Sequence, residues 1–272
     1  MPKVYDEEEY RIAIDEIIAK HKITHILPLT DVEVDYYNNN RKHYEDMNVV
    51  ICISSYETIE ICRNKKKQQE FIDSNVNGIK TIPTKTIKEI KENPYDFPMV
   101  AKLTNGRSSQ GLKYIENQEE LNLILNTNNE NYIFQPKIEG NIITVDVICD
   151  GINCVAIPRE ELLRTLNGAG LSVKVFSDRI LEDSCKKLAL ALGIRGCVNF
   201  EFIRDSKGEY NYIECNPRFS GGVEFSNIAG YDCVLNHIKC FTEEKENIDD
   251  FQLNKTIYIA RKYEEYVMKT IE

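Results

Sequence analysis

The stretch from Asn199 to Gly222 constrains this chain more than any other. Ser206-Lys207-Gly208 carries turn chemistry, and the runs on either side, Asn199 to Arg204 and Tyr210 to Glu214, read as strands. In such a hairpin Glu201 and Glu214 come side by side on one face, and Asn216, two residues on, adds an amide oxygen to the same face. Two carboxylates and an amide carbonyl are hard oxygen donors suited to Mg²⁺, which keeps its other positions for water and phosphate. Mn²⁺ accepts the same donors. Arg218 follows directly, a guanidinium in reach of a phosphate or acyl-phosphate oxygen. Two glutamates alone would read as a solvated hairpin. Asn216-Pro217-Arg218 and Ser220-Gly221-Gly222 weigh against that reading.

A chain of 272 residues can bury a sizeable core in two or three packed subdomains. It has no apolar run long enough to span a bilayer, and its first ten residues lack a signal-peptide core. A formal charge of −10 argues against nucleic acid as a partner. Nine cysteines, with no Cys-x-x-Cys pair and with Cys149, Cys154 and Cys197 in apolar runs, read as buried reduced thiols of a cytoplasmic protein.

Apolar spacing predicts a helix over Tyr10 to Lys20, a strand over Ile23 to Leu29, a helix over Val32 to Tyr44 and a strand over Val49 to Ile53. Ser55 is placed to cap a helix running through Ile61. This alternation predicts a parallel α/β layer. Beyond a helix over Lys65 to Ser74 come a strand ending at Lys102, a polar loop from Thr104 to Gly111, and a strand over Leu112 to Ile115. A helix over Glu119 to Asn126 precedes strands over Tyr132 to Pro136, Ile142 to Cys149 and Cys154 to Pro158. Arg159 to Gly170 is charged and glycine-tipped; Asp178 to Leu192 is an amphipathic helix; Ala229 to Phe241 reads as a helix and Thr256 to Lys262 as a last strand. Asp146 alternates with apolar residues, so an outward-facing strand position and a role at the site are both open for it.

The string Glu201…Glu214-Cys215-Asn216-Pro217-Arg218 resembles the metal-binding signature of the ATP-grasp superfamily, in the branch of carbamoyl-phosphate-synthase large subunits and their stand-alone relatives. The likeness runs from about Thr24 to the C-terminus. It implies an α/β (α+β) fold of two lobes: residues 1–80 as a truncated Rossmann-like parallel α/β domain, 81–137 as a small lobe with the phosphate loop, and 138–272 as a large lobe with the metal site. Relatives begin with a glycine-rich strand–helix–strand unit that nothing here matches.

The resemblance assigns Glu201, Glu214 and Asn216 to Mg²⁺ and Arg218 to the acyl-phosphate. Lys102, at a strand end before small residues, supplies the cation and close backbone approach that phosphates need. By the family's order Lys102, Lys65 and the loop residues Gly106, Ser108, Ser109 and Gly111 would hold ATP phosphates. Gln135, Pro136, Lys137 and Ile138 match the segment linking the lobes, where Gln135 would accept the adenine amino proton. Ile142 stands where relatives carry a ribose-binding Glu, so Glu139 or Asn141 would substitute. Arg159, Arg164 and Lys174 lie in the substrate-facing stretch and supply cations for a carboxylate and a phosphoryl group.

The implied activity is an ATP- and Mg²⁺-dependent ligase that activates a small-molecule carboxylate as an acyl-phosphate for attack by an amine. The alternatives are a non-catalytic nucleotide-binding partner module, or one lobe of a split carbamoyl-phosphate-type synthase working with a partner chain. A homodimer is compatible with each. His21, His25, His43 and His237 show no ligand spacing and take no catalytic part.

Overall fold

The computed structural model describes residues 2–107, 110–127, 130–165, 168, 170–242, 247–262 and 264–270. The chain opens with α1 (Glu7–His21), β1 (His25–Ile26), α2 (Asp31–Asn39), α3 (Arg41–Asp46), β2 (Val50–Ile51), α4 (Tyr56–Cys62) and α5 (Lys65–Asn75). β1 and β2 pair in parallel, as the alternating pattern predicts. Their helices close over a tyrosine-rich core in which Tyr10, Tyr36, Tyr37 and Tyr44 meet mostly edge to face. Ser55 caps α4 by accepting from the Thr58 N–H. The single helix expected over Val32 to Tyr44 is two, because the backbone leaves the helical region at Asn40 (φ −111°, ψ 18°), whose side chain donates to the Tyr36 carbonyl, 2.8 Å away.

Next come β3 (Lys80–Thr81), β4 (Lys85–Thr86), α6 (Ile87–Glu92), β5 (Met99–Leu103), β6 (Lys113–Ile115), α7 (Gln118–Leu125) and β7 (Tyr132–Pro136). α6 was not expected, although Thr86 and Glu89 form a reciprocal capping box that is visible in the sequence. Four of these strands form an antiparallel sheet in the order β4-β7-β5-β6.

The remainder is β8 (Asn141–Cys149), β9 (Cys154–Arg164), β10 (Gly170–Val175), α8 (Arg179–Leu192), β11 (Gly196–Arg204), β12 (Tyr210–Asn216), α9 (Val223–Ile228), α10 (Cys233–Lys239) and β13 (Ile257–Ala260). With β3 they build a seven-stranded sheet, β13-β10-β9-β8-β11-β12-β3, in which only β12 and β3 run parallel. β3 straddles the expected 80/81 boundary.

α8 shows why the sheet is covered on one face. Asp178 caps its first turn, Gly193 ends it at φ +69°, and Leu181, Cys185, Leu188, Ala189 and Leu192 form one apolar stripe. That stripe packs on Ile143, Val145, Val147, Phe200 and Phe202, each large side chain contributing about 1.5–3 kcal/mol by burial. The opposite face meets α9 and α10 through Ile148, Ile157, Val173, Val175, Phe225 and Cys233. β8 is therefore buried on both sides, and Asp146 is fully buried rather than outward-facing.

Three further expectations change. β9 runs through the charged segment as far as Arg164, and β10 pairs with it. The helix expected from Ala229 starts only at Cys233, because Gly230 at φ +113° breaks the chain and Asp232 recaps it. Cys149 and Cys154, expected as thiols, are bonded to each other as directly facing residues of β8 and β9. Cys52, Cys62, Cys185, Cys197, Cys215, Cys233 and Cys240 are free and buried.

His237 on α10 lies between the rings of Phe219 and Phe241, and its Nδ1 accepts from the Cys197 N–H at 2.8 Å. Burial pushes its imidazole down from 6.5 to about 4. The unfolded chain therefore binds the proton first, so stability falls as pH drops from 6.5 towards 4. That loss is expected to reach about 3 kcal/mol. Urea unfolding across this window should show it in the wild type and show a smaller loss in His237→Gln; parallel curves would refute the assignment.

Candidate functional site

The β11–β12 register sets Glu201 directly opposite Glu214 and Asn199 opposite Asn216. Thr144 on β8 pairs with Glu201 on one side and with Arg159 on the other. One polar row thus crosses four strands on the face turned away from α8, through Glu214, Glu201, Thr144 and Arg159. Asn216 donates to Asn199 Oδ1 at 3.2 Å, and Asn199 donates to the Arg218 carbonyl at 3.1 Å, which ties the loop after β12 to the hairpin.

α5 locks the hairpin from its other edge. Gln68 Oε1 accepts from Tyr212 Oη at 2.7 Å and from the Cys215 N–H at 2.8 Å. Lys65, one turn earlier on α5, comes within 2.9 Å of Glu214 Oε2 and donates to the Gly106 carbonyl at 2.8 Å. The two carboxylates differ in consequence. Burial and the charge of Glu214 raise the Glu201 carboxyl above the usual range. Burial also opposes ionisation of Glu214, but the Lys65 ammonium, with Lys102 behind it, outweighs that and holds it below the usual range. Burial lowers the Lys102 ammonium, against the pull of Glu214. Two closely set carboxylates with an amide beside them form a donor set that a divalent cation would neutralise, so the residues fit Mg²⁺. Among the described residues no group of three or more His, Cys, Asp and Glu is arranged to hold a metal ion.

Two cavities meet at this pair. One, of 520 Å³, lies between the two larger sheets and is lined by Lys65, Lys102, Gly106, Gln135, Pro136, Lys137, Ile138, Glu139 and Ile142. The other, of 770 Å³, opens toward the β1–α2 junction and is lined by Asp31, Arg159, Glu161, Arg164, Asn216 and Arg218. Arg164, Glu201 and Glu214 line both. These volumes lie in the range of small-molecule sites.

Gln135 is buried. Its Nε2 donates to Thr84 Oγ1 at 2.8 Å, and its Oε1 accepts no hydrogen bond from the described residues. An orphaned acceptor in a cavity wall awaits a donor. Glu139 lines that cavity beside Ile142, whereas Asn141 is spent on Glu160 at 2.7 Å. Of the two substitutes open for a ribose ligand, Glu139 is therefore the one at the cavity.

Arg218 is oriented by Asp31, 2.9 Å away, and its Nη1 donates to the Phe219 carbonyl at 3.0 Å. Arg164 lies 3.7 Å from Glu201 and donates to the Gly168 carbonyl at 2.7 Å. Arg159 is buried, with Nη1 on Asp146 at 2.6 Å, Nε on Glu161 at 3.0 Å and Nη2 on Ser220 at 2.9 Å. Its guanidinium is held above the usual value: burial works against the charge, and Asp146 and Glu161 outweigh it. Lys174 is not brought to either cavity. It pairs in register with Glu160, on the opposite face of β10 from Val173 and Val175, and its ammonium lies over the Phe176 ring. Gly111 at φ +71° shapes the loop end against Leu103 without lining a cavity. Ser108 and Ser109 lie outside the described residues.

The sequence reading missed Asp31, Asp35, Arg63, Gln68 and Glu161. Arg63 holds Asp35 at 2.6 Å and lies 3.6 Å from Asp31, and Arg107 from the polar loop reaches Asp35 at 3.3 Å. Only the Thr30–Glu33 capping box pointed to this corner, by marking where α2 starts. The other partners are distant in sequence.

Comparison with known proteins identifies the family and the fold. The family described as "ATP-grasp in the biosynthetic pathway with Ter operon" matches residues 128–264, just over half the chain. The carbamoyl phosphate synthase large chain of Clostridium beijerinckii is 31% identical over 211 residues, which is 70% of this chain and 19% of that one. Its counterpart from Clostridium perfringens is 34% identical over 154 residues, 51% of this chain and 14% of that one. The chain thus spans about a fifth or less of the length of these relatives. Among solved structures, the biotin carboxylase–βγ-ATP complex of Campylobacter jejuni superposes with a TM-score of 0.75 at 20% identity, covering 92% of this chain and 61% of that one. The biotin carboxylase domain of Hydrogenobacter thermophilus 2-oxoglutarate carboxylase, in complex with MgADP, ADP and bicarbonate, superposes with a TM-score of 0.76 at 20% identity, covering 92% and 60%.

Proposed function

Because the chain belongs to the ATP-grasp family, we propose that it is an ATP- and Mg²⁺-dependent ligase that phosphorylates a carboxylate and passes the acyl group to an amine. The observation that carries this reading is the meeting of two cavities at Glu201 and Glu214. A phosphoryl donor in one and an acceptor in the other would touch at that pair. Glu201, Glu214 and Asn216 would hold Mg²⁺, which when bound supplies charge neutralisation along the β- and γ-phosphates.

The chain's own residues do the rest. Gln135 Oε1 accepts the adenine amino proton, with Pro136, Lys137 and Ile138 forming the same wall. Lys65 and Lys102 bind phosphate oxygens; the ammonium of Lys65, at Glu214 before ATP arrives, then exchanges one anion for another. Arg218, held by Asp31, and Arg164 stabilise the negative charge that develops on the transferred group. Gly106, which lines the 520 Å³ cavity, helps exclude water, because acyl-phosphates hydrolyse readily. Arg159 acts one layer back, orienting Glu161 and Ser220.

Titration calorimetry with MgATP, followed by ADP release over a panel of carboxylates and amines, tests the reading. Binding with substrate-stimulated ADP release is the expected result. Binding with no such stimulation would favour a nucleotide-binding module, the alternative that Ile142 at the ribose position supports. Gln135→Leu should weaken ATP binding about tenfold or more, the cost of an unmet buried hydrogen bond. Unchanged affinity in that variant would remove Gln135 from the adenine site.

A further inference from the structure

Building on the ligase reading above, we propose that the 770 Å³ cleft receives a substrate bearing a primary ammonium, and that Glu161 is the residue that binds it. Arg159, Asp146 and Glu161 form a buried cluster whose side chains are 3%, 0% and 4% exposed. One guanidinium faces two carboxylates. Its remaining hydrogen-bond partner, Ser220, and the Asp146 partner Ser226 at 2.7 Å are neutral hydroxyls. Such a cluster carries one negative charge in excess, which is costly away from water.

The excess reaches the cleft at one atom. Asp146 does not line the cleft, whereas Glu161 does, and Glu161 Oε2 is buried without a hydrogen-bond partner among the described residues. The Gly170 backbone passes so close that a Cβ there would stand 2.3 Å from that oxygen, so glycine at 170 keeps the carboxylate in place. Arg164, a nearby cation, is turned toward Gly168 and Glu201. An ammonium has one positive charge and three donors, which is what a desolvated, unpaired carboxylate oxygen lacks. Leu27, Leu29, Phe219, Val223 and Val234 supply apolar lining for the carbon body of such an amine.

Thermal unfolding of the full chain with ethylammonium chloride, against equal sodium chloride and tetramethylammonium chloride, reads this site without turnover. Ethylammonium should raise the wild-type midpoint by about 2 °C once it exceeds its dissociation constant several-fold. Tetramethylammonium, with no N–H donor, should not. Glu161→Gln keeps the shape and the acceptor for Arg159, should leave MgATP affinity unchanged, and should lose the ethylammonium shift. The same variant should raise KM for the amine about tenfold with little change in kcat.

An equal shift in both proteins, or none in the wild type, overturns the proposal. A Glu161-dependent shift without ADP release under any amine leaves the ammonium site standing and removes the ligase reading. ADP release without that shift does the reverse.

Discussion

Glu214→Gln is expected to abolish ADP formation, lowering it at least about 1,000-fold, while the chain keeps its fold. The variant removes one of the two charges that Mg²⁺ would meet and leaves an amide of the same shape. Its effect on stability should be small, because two changes oppose each other. The 2.9 Å contact with Lys65 loses its ionic character, but Glu201 loses the neighbouring charge that, after burial, raises its carboxyl. A rate measurement and an unfolding midpoint taken on one preparation separate the two. Undiminished ATP turnover would remove the metal assignment outright, and a collapsed midpoint would show that Glu214 is chiefly structural.

Arg159→Ala should have the largest effect on stability, about 3–5 kcal/mol, because Asp146 and Glu161 would stay buried without a counter-charge. Arg159→Lys should recover part of the loss: it restores the charge but lacks the planar fork that reaches Asp146, Glu161 and Ser220 together. Urea midpoints of the three proteins check this. A deficit below about 1 kcal/mol would mean that this cluster is solvated.

Arg159 also shows how far sequence reasoning reached. Its place in the substrate-facing stretch identified a cation near the cleft, but three buried partners make it an orienting residue, and those partners come from β8, its own strand and the loop after β12. The same resemblance to a substrate-facing stretch grouped Lys174 with it. A strand's period of two turns Lys174 to the other face. An outward position was one of two readings open for Asp146, since alternation usually means one wet face, but here α8 covers one side of the sheet while α9 and α10 cover the other. Cys149 and Cys154 could be paired only once β8 and β9 were known to run antiparallel through the intervening turn.

What the amino-acid order determined by itself was local. A turn at Ser206 to Gly208 sets the pairing from Arg204–Tyr210 to Phe202–Tyr212, and a register shift between Glu201 and Phe202 then brings Glu201 opposite Glu214, with Asn216 on the same side. Only the tertiary structure decided which charges meet that pair. Lys65 reaches Glu214, Asp31 orients Arg218 from 187 residues away, and Glu161 is left with an oxygen that no donor among the described residues fills. The difference has one physical cause. Alternation along a hairpin follows from backbone geometry over a few residues, whereas an ion pair depends on which surfaces the folded layers bury together.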